Sequence, residues 1–223
     1  MKYYINIILI ILIVIIASCG KKEDEICPTE FELPSSQFTP YDSLYKIGDT
    51  ITITSTFSKY LYEKNTGETY NMENIIWNSV LGAFKIDSGN IDDAFSTDIR
   101  KYFKIVNCSD TNATWYTFSD GATSLELKYS FYKDSFMLSL SITPKKKGVF
   151  IIAFGSGLDN SNQEFEGKCN NKTFNAYCYP NKGKENNIEL LKQSPINHFN
   201  NWILQNPDDR YYEKKYFALK VIE

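Results

Sequence analysis

Acidic side chains are the groups in this sequence whose grouping comes closest to a catalytic pattern. Asp92 and Asp93 are adjacent and follow Asp87, while Glu164 and Glu166 lie in a long polar segment. A glycosidase needs two carboxyl groups about 5–9.5 Å apart, and adjacency in a turn does not fix such a separation. We therefore assign no catalytic residue, and a carboxylate-dependent glycoside hydrolase stays as an alternative.

The same acidic loops contain oxygen atoms of the kind that bind Ca²⁺. The two candidate ligand sets are Asp87, Asn90, Asp92 and Asp93, and Asp159, Asn160, Asn162 and Glu164. Neither set has the spaced ligands and the glycine of an EF-hand loop. His198 is the single histidine, so no histidine pair can hold a metal. We expect no resident metal or cofactor, with a loop-bound Ca²⁺ as the alternative.

The first residues have the organisation of a secretory signal. Lys2 and the free amine precede an unbroken apolar run of 11 residues from Ile7 to Ala17. A membrane-spanning helix needs about 20 such residues, so this run has the length of a signal-peptide core. Ile16-Ala17-Ser18-Cys19 then resembles the lipobox of bacterial lipoproteins. The resemblance implies a signal peptide over residues 1–18, cleaved before Cys19, and acylation of that cysteine.

The residues after the lipobox imply a destination. Gly20 stands where lipoproteins retained at the inner membrane typically carry Asp. The run Lys21-Lys22-Glu23-Asp24-Glu25 resembles the short charged export signal of some Gram-negative surface lipoproteins. The resemblance implies a protein anchored to the outer membrane by its lipid and exposed at the cell surface. A solvated tether that faces the periplasm is the alternative, since most charge runs are simply solvated.

With Cys19 lipidated, four cysteines remain, namely Cys27, Cys108, Cys169 and Cys178. An even number in an extracytoplasmic protein indicates disulfides, and three pairings are possible. Cys169 and Cys178 are close in sequence and flank a polar loop, which favours a bridge between them. By elimination, the second bridge joins Cys27 to Cys108. Free buried thiols and a metal site are the alternatives.

Charge excludes one class of partner. The chain has a formal net charge of −3, and its densest basic cluster, Lys145-Lys146-Lys147, ends at Gly148 as in a turn. A nucleic-acid-binding protein presents a basic face, so we expect no nucleic-acid partner. The expected contacts are the membrane, through the N-terminal lipid, and an extracytoplasmic ligand.

The chain divides into a linker and one domain. Residues 19–43 are polar and contain Pro28, Pro34 and Pro40, a composition typical of an extended tether. From residue 44 to residue 223 we predict a single β-sandwich domain. Its first clear strand is "TITITSTF", where Ile51, Ile53 and Phe57 share one face.

Alternating patterns predict more strands after this one. Residues 124–143 alternate twice around Lys133-Asp134, which predicts an antiparallel hairpin. Residues 155–187 predict a long polar loop. Asn187 is placed to cap a helix, "IELLKQ", which breaks at Pro195 and continues over residues 196–203.

Several short strands with few helices predict a mainly β protein, an antiparallel β-sandwich of about eight strands with a short C-terminal helical segment. The stretch "YKIGDTITITSTF" also resembles an early strand of immunoglobulin-like domains on bacterial cell surfaces.

Aromatic residues are the best candidates for recognition, because Tyr and Trp bury much area and keep a polar atom. The candidates are Tyr60, Tyr62, Tyr70, Trp77, Trp115 and Tyr116. We expect non-catalytic binding of a glycan or protein ligand at the cell surface. The alternative is a structural or assembly accessory of an envelope complex.

Overall fold

The computed structural model describes residues 26–109, 112–159, 163–165, 167, 169, 173–183 and 185–223. The strands in these ranges are β1 (Glu30–Glu32), β2 (Gln37–Thr39), β3 (Leu44–Lys46), β4 (Ile51–Ser58), β5 (Tyr60–Tyr62), β6 (Thr69–Asn71), β7 (Trp77–Lys85), β8 (Phe103–Asn107), β9 (Ala113–Thr117), β10 (Thr123–Lys128), β11 (Ser130–Tyr132), β12 (Ser135–Pro144), β13 (Gly148–Leu158), β14 (Asn175–Tyr177) and β15 (Tyr216–Ile222).

Two sheets form a β-sandwich, which confirms the predicted fold class. Over the described ranges, the first sheet has six strands in the order β3-β15-β13-β7-β10-β9. The second sheet has the order β11-β12-β4-β2, with β8 also paired to β12. Both sheets are antiparallel apart from the parallel β15–β3 pair. The antiparallel pair β5–β6 and the parallel pair β1–β14 lie beside the sandwich.

The core lies between the two sheets and is rich in aromatic contacts. Phe57 of β4 meets the ring of Trp77 of β7 edge-on, with ring centroids 5.4 Å apart. Phe38 of β2 stacks on Phe217 of β15 at 4.4 Å. Strands β4 and β12 alternate buried and more exposed residues along their length, as the sequence pattern predicts.

A second apolar cluster covers the outer face of the first sheet. Short helical segments contribute to it: α1 (Ile91–Phe95), a 3₁₀ turn (Ile188–Gln193) and two π-helical turns (His198–Ile203 and Asp208–Tyr212). A further turn, α2 (Ile99–Tyr102), packs against the main core through Ile99. The predicted C-terminal helical segment is therefore present as single turns. Asn187 does not cap it, because its side chain donates to the carbonyls of Asp42 and Ala218 instead.

The prediction that residues 19–43 form a linker is wrong from β1 onward. β1 and β2 belong to the folded domain, and Phe31 and Phe38 are buried in the main core. The domain therefore includes residues before 44, since a segment that buries two phenylalanines is packed and not a tether. Residues 1–25, which contain the predicted signal peptide, Cys19 and the charged run 21–25, lie outside the described residues.

The predicted hairpin over residues 124–143 is corrected in its first half. β10 pairs with β7 and β9 in the first sheet, whereas β11 pairs with β12 in the second. The chain crosses between the sheets at Tyr129, whose backbone N–H donates to the carbonyl of Trp77. Alternation of side chains continues through the crossing, so the sequence pattern does not reveal it.

The predicted disulfide pairing is also wrong. Cys27 is bonded to Cys169, whereas Cys108 is an exposed free thiol and Cys178 a buried one. The parallel pairing of β1 with β14 explains the bridge, because parallel strands place their preceding segments side by side. Cys27 precedes β1 and Cys169 precedes β14. The Cys178 thiol donates to the carbonyl of Pro34.

Candidate functional site

The paired acidic residues do not assemble an acid–base site. Asp92 and Asp93 lie in the first turn of α1, where the side chain of Asn90 accepts from the backbone N–H of Asp93. Asp87 forms an ion pair with Lys85 at 2.7 Å. Asp92 and Asp93 are exposed, and the carboxylate of Asp87 is already paired with Lys85.

The other proposed oxygen ligands are only partly described. Asn160, Asn162 and Glu166 lie outside the described residues, and Glu164 is exposed. Asp159 lies 3.5 Å from the ammonium group of Lys128. In the part of the chain that the structure describes, no three His, Cys, Asp or Glu side chains form a group that could hold a metal ion.

His198 is part of an aromatic stack. Its ring lies 4.6 Å from that of Trp202 and nearly parallel to it. Burial lowers the pKa of the His198 imidazole, and the nearby charge of Arg210 lowers it further. The group is therefore held in its neutral form at neutral pH.

The aromatic candidates divide into surface and core residues. Tyr60 is 54% exposed, Tyr62 51%, Trp115 38% and Tyr116 46%. Trp77 is buried in the core, and Tyr70 packs edge-on against Phe31 at 5.9 Å. Trp77 lies in β7, which is central in its sheet, whereas Trp115 lies in β9, at the edge of the same sheet.

Two of the exposed tyrosines share one face of β5. Tyr60 and Tyr62 both point outward while Leu61 between them is buried. Residues two apart in a strand lie on the same side and are separated by about 6.8 Å. Their rings therefore present a short aromatic row to solvent.

Tyr62 also lines a cavity of about 530 Å³, here called the tyrosine cleft. Its lining residues are Glu32, Leu33, Pro34, Ser35, Tyr62 and Tyr179. This volume is within the range of small-molecule sites, about 300–1,000 Å³. The cleft combines two phenol rings with a carboxylate and a hydroxyl group.

One further concavity adjoins the cleft, and another lies along the same N-terminal segment. One of about 460 Å³ shares Tyr179 and is lined as well by Glu30, Lys64, Glu213 and Lys214. Another of about 600 Å³ is lined by Gln37, Phe38, Thr39, Tyr41, Asn181 and Glu185. Concave surfaces therefore occur at several points between residue 30 and residue 41.

A buried carboxylate holds the two sides of the cleft in place. Glu63, next to Tyr62, accepts hydrogen bonds from the backbone N–H groups of Thr29 at 3.1 Å and of Glu30 at 2.7 Å. It also accepts from the backbone N–H of Thr66 at 2.7 Å and from the hydroxyl of Thr66 at 2.8 Å. In return, the backbone N–H of Lys64 donates to the carbonyl of Glu30.

The ionisation of Glu63 follows from these contacts. Burial alone would raise the pKa of its carboxyl group, but the hydrogen bonds from Thr66 and Glu30 outweigh burial and lower the pKa. The group is therefore ionised at neutral pH and fully occupied as an acceptor. Its role is to join β1 to the β5–β6 hairpin.

This arrangement suits a polyhydroxylated ligand. Tyrosine rings offer flat apolar faces, and the phenol, hydroxyl and carboxylate groups pair with ligand hydroxyls. The sequence identified Tyr60 and Tyr62 but missed Tyr179, Glu32 and Ser35. Glu32 and Ser35 lie in the segment predicted as linker, and Tyr179 in the segment predicted as loop. None of the three belongs to a pattern that separates it from its neighbours.

Comparisons with known proteins do not assign the chain to a family. No protein-family model matches the chain, and no curated protein matches it either. Among solved structures, the chain is similar to the human F-spondin reeler domain, with 12% identity, a TM-score of 0.30, and coverage of 67% of this chain and 93% of that one.

It is also similar to two cohesins. One is a module of a family 33 glycoside hydrolase from Clostridium perfringens, with 9% identity, a TM-score of 0.31, and coverage of 66% and 96%. The other is a non-cellulosomal cohesin from Archaeoglobus fulgidus, with 5% identity, a TM-score of 0.32, and coverage of 85% and 91%. Likeness at this level carries no inference about function. Within the described ranges, no helix has the length and apolarity that crossing a membrane requires.

Proposed function

We propose that this chain is a lipid-anchored envelope lipoprotein that binds an oligosaccharide in the tyrosine cleft without catalysis. We infer the class of ligand from one observation, that Tyr62 and Tyr179 line a single cavity together with Glu32 and Ser35. Sugar rings have apolar C–H faces and polar edges, and the cleft offers a partner for each.

The extent of the concave surface favours an oligosaccharide over a single sugar. A concavity that shares Tyr179 extends the tyrosine cleft toward Glu30, and another lies further along the same segment at Gln37, so a chain of sugars can follow the N-terminal segment. The charges of this surface are mixed, since Glu32 lies 4.0 Å from the ammonium group of Lys64. Hydroxyl groups of a neutral glycan can hydrogen-bond to both Glu32 and Lys64, which offsets the cost of removing water from these charges.

The absence of catalysis in this proposal rests on the roles of the nearby carboxylates. Glu63 is committed to holding the backbone, and Glu32 is in reach of a lysine. A glycosidase requires one carboxyl group to act as a general acid while a second acts as base or nucleophile. Incubation with the bound oligosaccharide should leave it intact by mass spectrometry. Release of shorter sugars would favour the glycoside hydrolase alternative.

The binding proposal is tested with a glycan array and calorimetry on the folded domain. An oligosaccharide selected on the array should bind Tyr62→Ala and Tyr179→Ala at least tenfold more weakly, as loss of a stacked ring predicts. Tyr132→Ala is the matched control, since Tyr132 is 58% exposed and lies outside the cleft. Equal loss in the control variant, or no loss in the cleft variants, would refute the proposal.

The anchor is proposed from the sequence. Acylation of Cys19 by several chains would hold the protein firmly, since each buried CH₂ contributes about 0.8 kcal/mol. Cys19→Ala should abolish labelling by radioactive palmitate and release the protein from membranes. Continued labelling of that variant would show that the thiol is not the acylated group.

Surface exposure is proposed from the run Lys21, Lys22, Glu23, Asp24 and Glu25. Protease added to intact cells should remove the domain, and replacing the three acidic residues of the run with alanine should protect it until lysis. Protection of the unaltered chain would instead support the periplasmic alternative and a role as accessory to an envelope complex.

A further inference from the structure

A second aromatic surface lies on the helical segments that cover the first sheet. We call it the Trp202 patch, and it consists of Ile91, Phe95, His198, Trp202 and Arg210. Trp202 is 44% exposed, and Ile91 and Phe95 are 37% exposed. Neither α1 nor the two π-helical turns that carry these residues contribute a side chain to the tyrosine cleft. The patch is therefore separate from the proposed glycan site.

The side chains of the patch are held in one arrangement. The Arg210 guanidinium lies 4.0 Å from the Trp202 ring centroid and donates to the Trp202 carbonyl. Trp202 stacks on His198 at 4.6 Å, and His198 meets Phe95 at 5.5 Å. Little side-chain entropy remains to be lost when a partner covers such a stack.

The composition of the patch is that of a protein-binding hot spot. Trp and Arg are enriched among the few residues that carry most of the energy of protein interfaces. The exposed Trp, Phe and Ile side chains form the apolar centre. A ring of polar groups surrounds such a centre in known interfaces.

The border of the patch is acidic. Of the four Asp in residues 86–98, Asp87 and Asp98 form ion pairs with Lys85 and Arg100, whereas Asp92 and Asp93 form none within the described residues. Residues 193–209, which include Trp202, contain two Asp and no Lys or Arg. Asp92 and Asp93 are in the first turn of α1, and Asp208 and Asp209 begin the turn that carries Arg210.

We propose that the Trp202 patch docks a protein segment that presents apolar side chains flanked by lysine or arginine. Basic residues of the partner would face the aspartates while its apolar residues cover Trp202 and Phe95. A second copy of this chain would bring the same aspartates face to face, and an anionic lipid surface would repel them. The charge of the border thus selects a basic protein segment.

Photocrosslinking on the full chain in its own cells tests this docking. p-Benzoylphenylalanine replaces Trp202 in one variant and Trp115 in the control. Trp115 is a matched position, since it is 38% exposed and lies 5.4 Å from the Arg100 guanidinium. The crosslinked peptide is identified by mass spectrometry. We expect an adduct at position 202 alone, on a segment with more Lys and Arg than Asp and Glu.

A second test neutralises the aspartates beside the Trp202 patch. Asp92→Asn with Asp93→Asn should reduce the yield of the position-202 adduct at least fivefold, and added salt should reduce it in the unaltered chain. Equal adducts at positions 202 and 115, no adduct at 202, or an adduct on an acidic segment, a second copy or a lipid would each overturn the proposal. None of these outcomes bears on the tyrosine cleft.

Discussion

Cys27 and Cys169 form a disulfide between positions 142 residues apart in the sequence, with their Cα atoms 5.5 Å apart. The bridge joins the segment before β1 to the segment before β14, at the start of a parallel pair of strands. Because residues that follow each of these strands line the tyrosine cleft together with Tyr62 of β5, the bridge connects two of the segments that form the cleft.

Loss of this bridge should therefore destabilise the domain. Cys27→Ser or Cys169→Ser should lower the free energy of unfolding in urea by about 2–5 kcal/mol, as for other disulfides that close long loops. Cys108→Ser is the control, because this thiol is exposed and unpaired, and it should change the free energy by less than about 0.5 kcal/mol. A non-reducing peptide map that joins Cys169 to Cys178 would contradict the assignment.

The N-terminal segment should prove indispensable for folding. A chain that begins at residue 44 lacks Phe31 and Phe38, and loss of a buried phenylalanine costs about 3–5 kcal/mol for each residue. Whole domains are stable by only about 5–15 kcal/mol. Circular dichroism should show the shortened chain unfolded and a chain that begins at Ile26 folded. A folded chain from residue 44 would restore the linker interpretation.

Glu63 should make the domain sensitive to acid. Its folded pKa is below the value that the carboxyl group has in an unfolded chain. The stabilisation is therefore complete above that value and is lost as the pH falls through the folded pKa. The free energy of unfolding, measured from about pH 7 to about pH 3, should fall more steeply in the unaltered protein than in Glu63→Gln.

The same variant should also be less stable at neutral pH, by about 1–3 kcal/mol, because an amide is a weaker acceptor for the donors of Thr66 and Glu30. Glu126→Gln, on the outer face of β10, serves as the control. It should change neither the pH dependence of stability nor the free energy of unfolding at neutral pH. An identical pH dependence in Glu63→Gln and the unaltered protein would refute the role assigned to this carboxylate.

Two buried serines near the phenol of Tyr129 should respond unequally to alanine. Ser156 is hydrogen-bonded to this phenol, and Ser55 interacts with it more weakly. Ser156→Ala should lower the free energy of unfolding by about 1–3 kcal/mol, since it removes the stronger partner of a buried phenol. Ser55→Ala should lower it by less. A comparable loss in both variants would contradict this difference.

The sequence predicted the strands that alternate over many residues. β4 and β12 bury the apolar residues expected of them, since eight or more residues of alternation define a face. β1 and β2 have three residues each and contain one buried phenylalanine apiece, too little for a pattern. Their burial depends on pairing with β14 and β4, and neither partner is the next strand along the chain.

The site was predictable only in part for the same reason. Tyr62 lies in a strand with exposed aromatic neighbours, and its type alone made it a candidate. Tyr179 comes beside it through the β1–β14 pairing, a long-range parallel contact with no local signal. The exposure of a tryptophan likewise depends on whether its strand is central, as for Trp77, or at an edge, as for Trp115.

The most direct test of the glycan proposal is nuclear magnetic resonance titration of the ¹⁵N-labelled domain with an oligosaccharide selected on the array. The proposal predicts that the amide shifts concentrate at Glu32, Leu33, Ser35, Tyr62 and Tyr179, with weaker changes toward Glu30 and Gln37. Shifts centred elsewhere, for example around Trp202 or Trp115, or no binding by any oligosaccharide on the array, would contradict it.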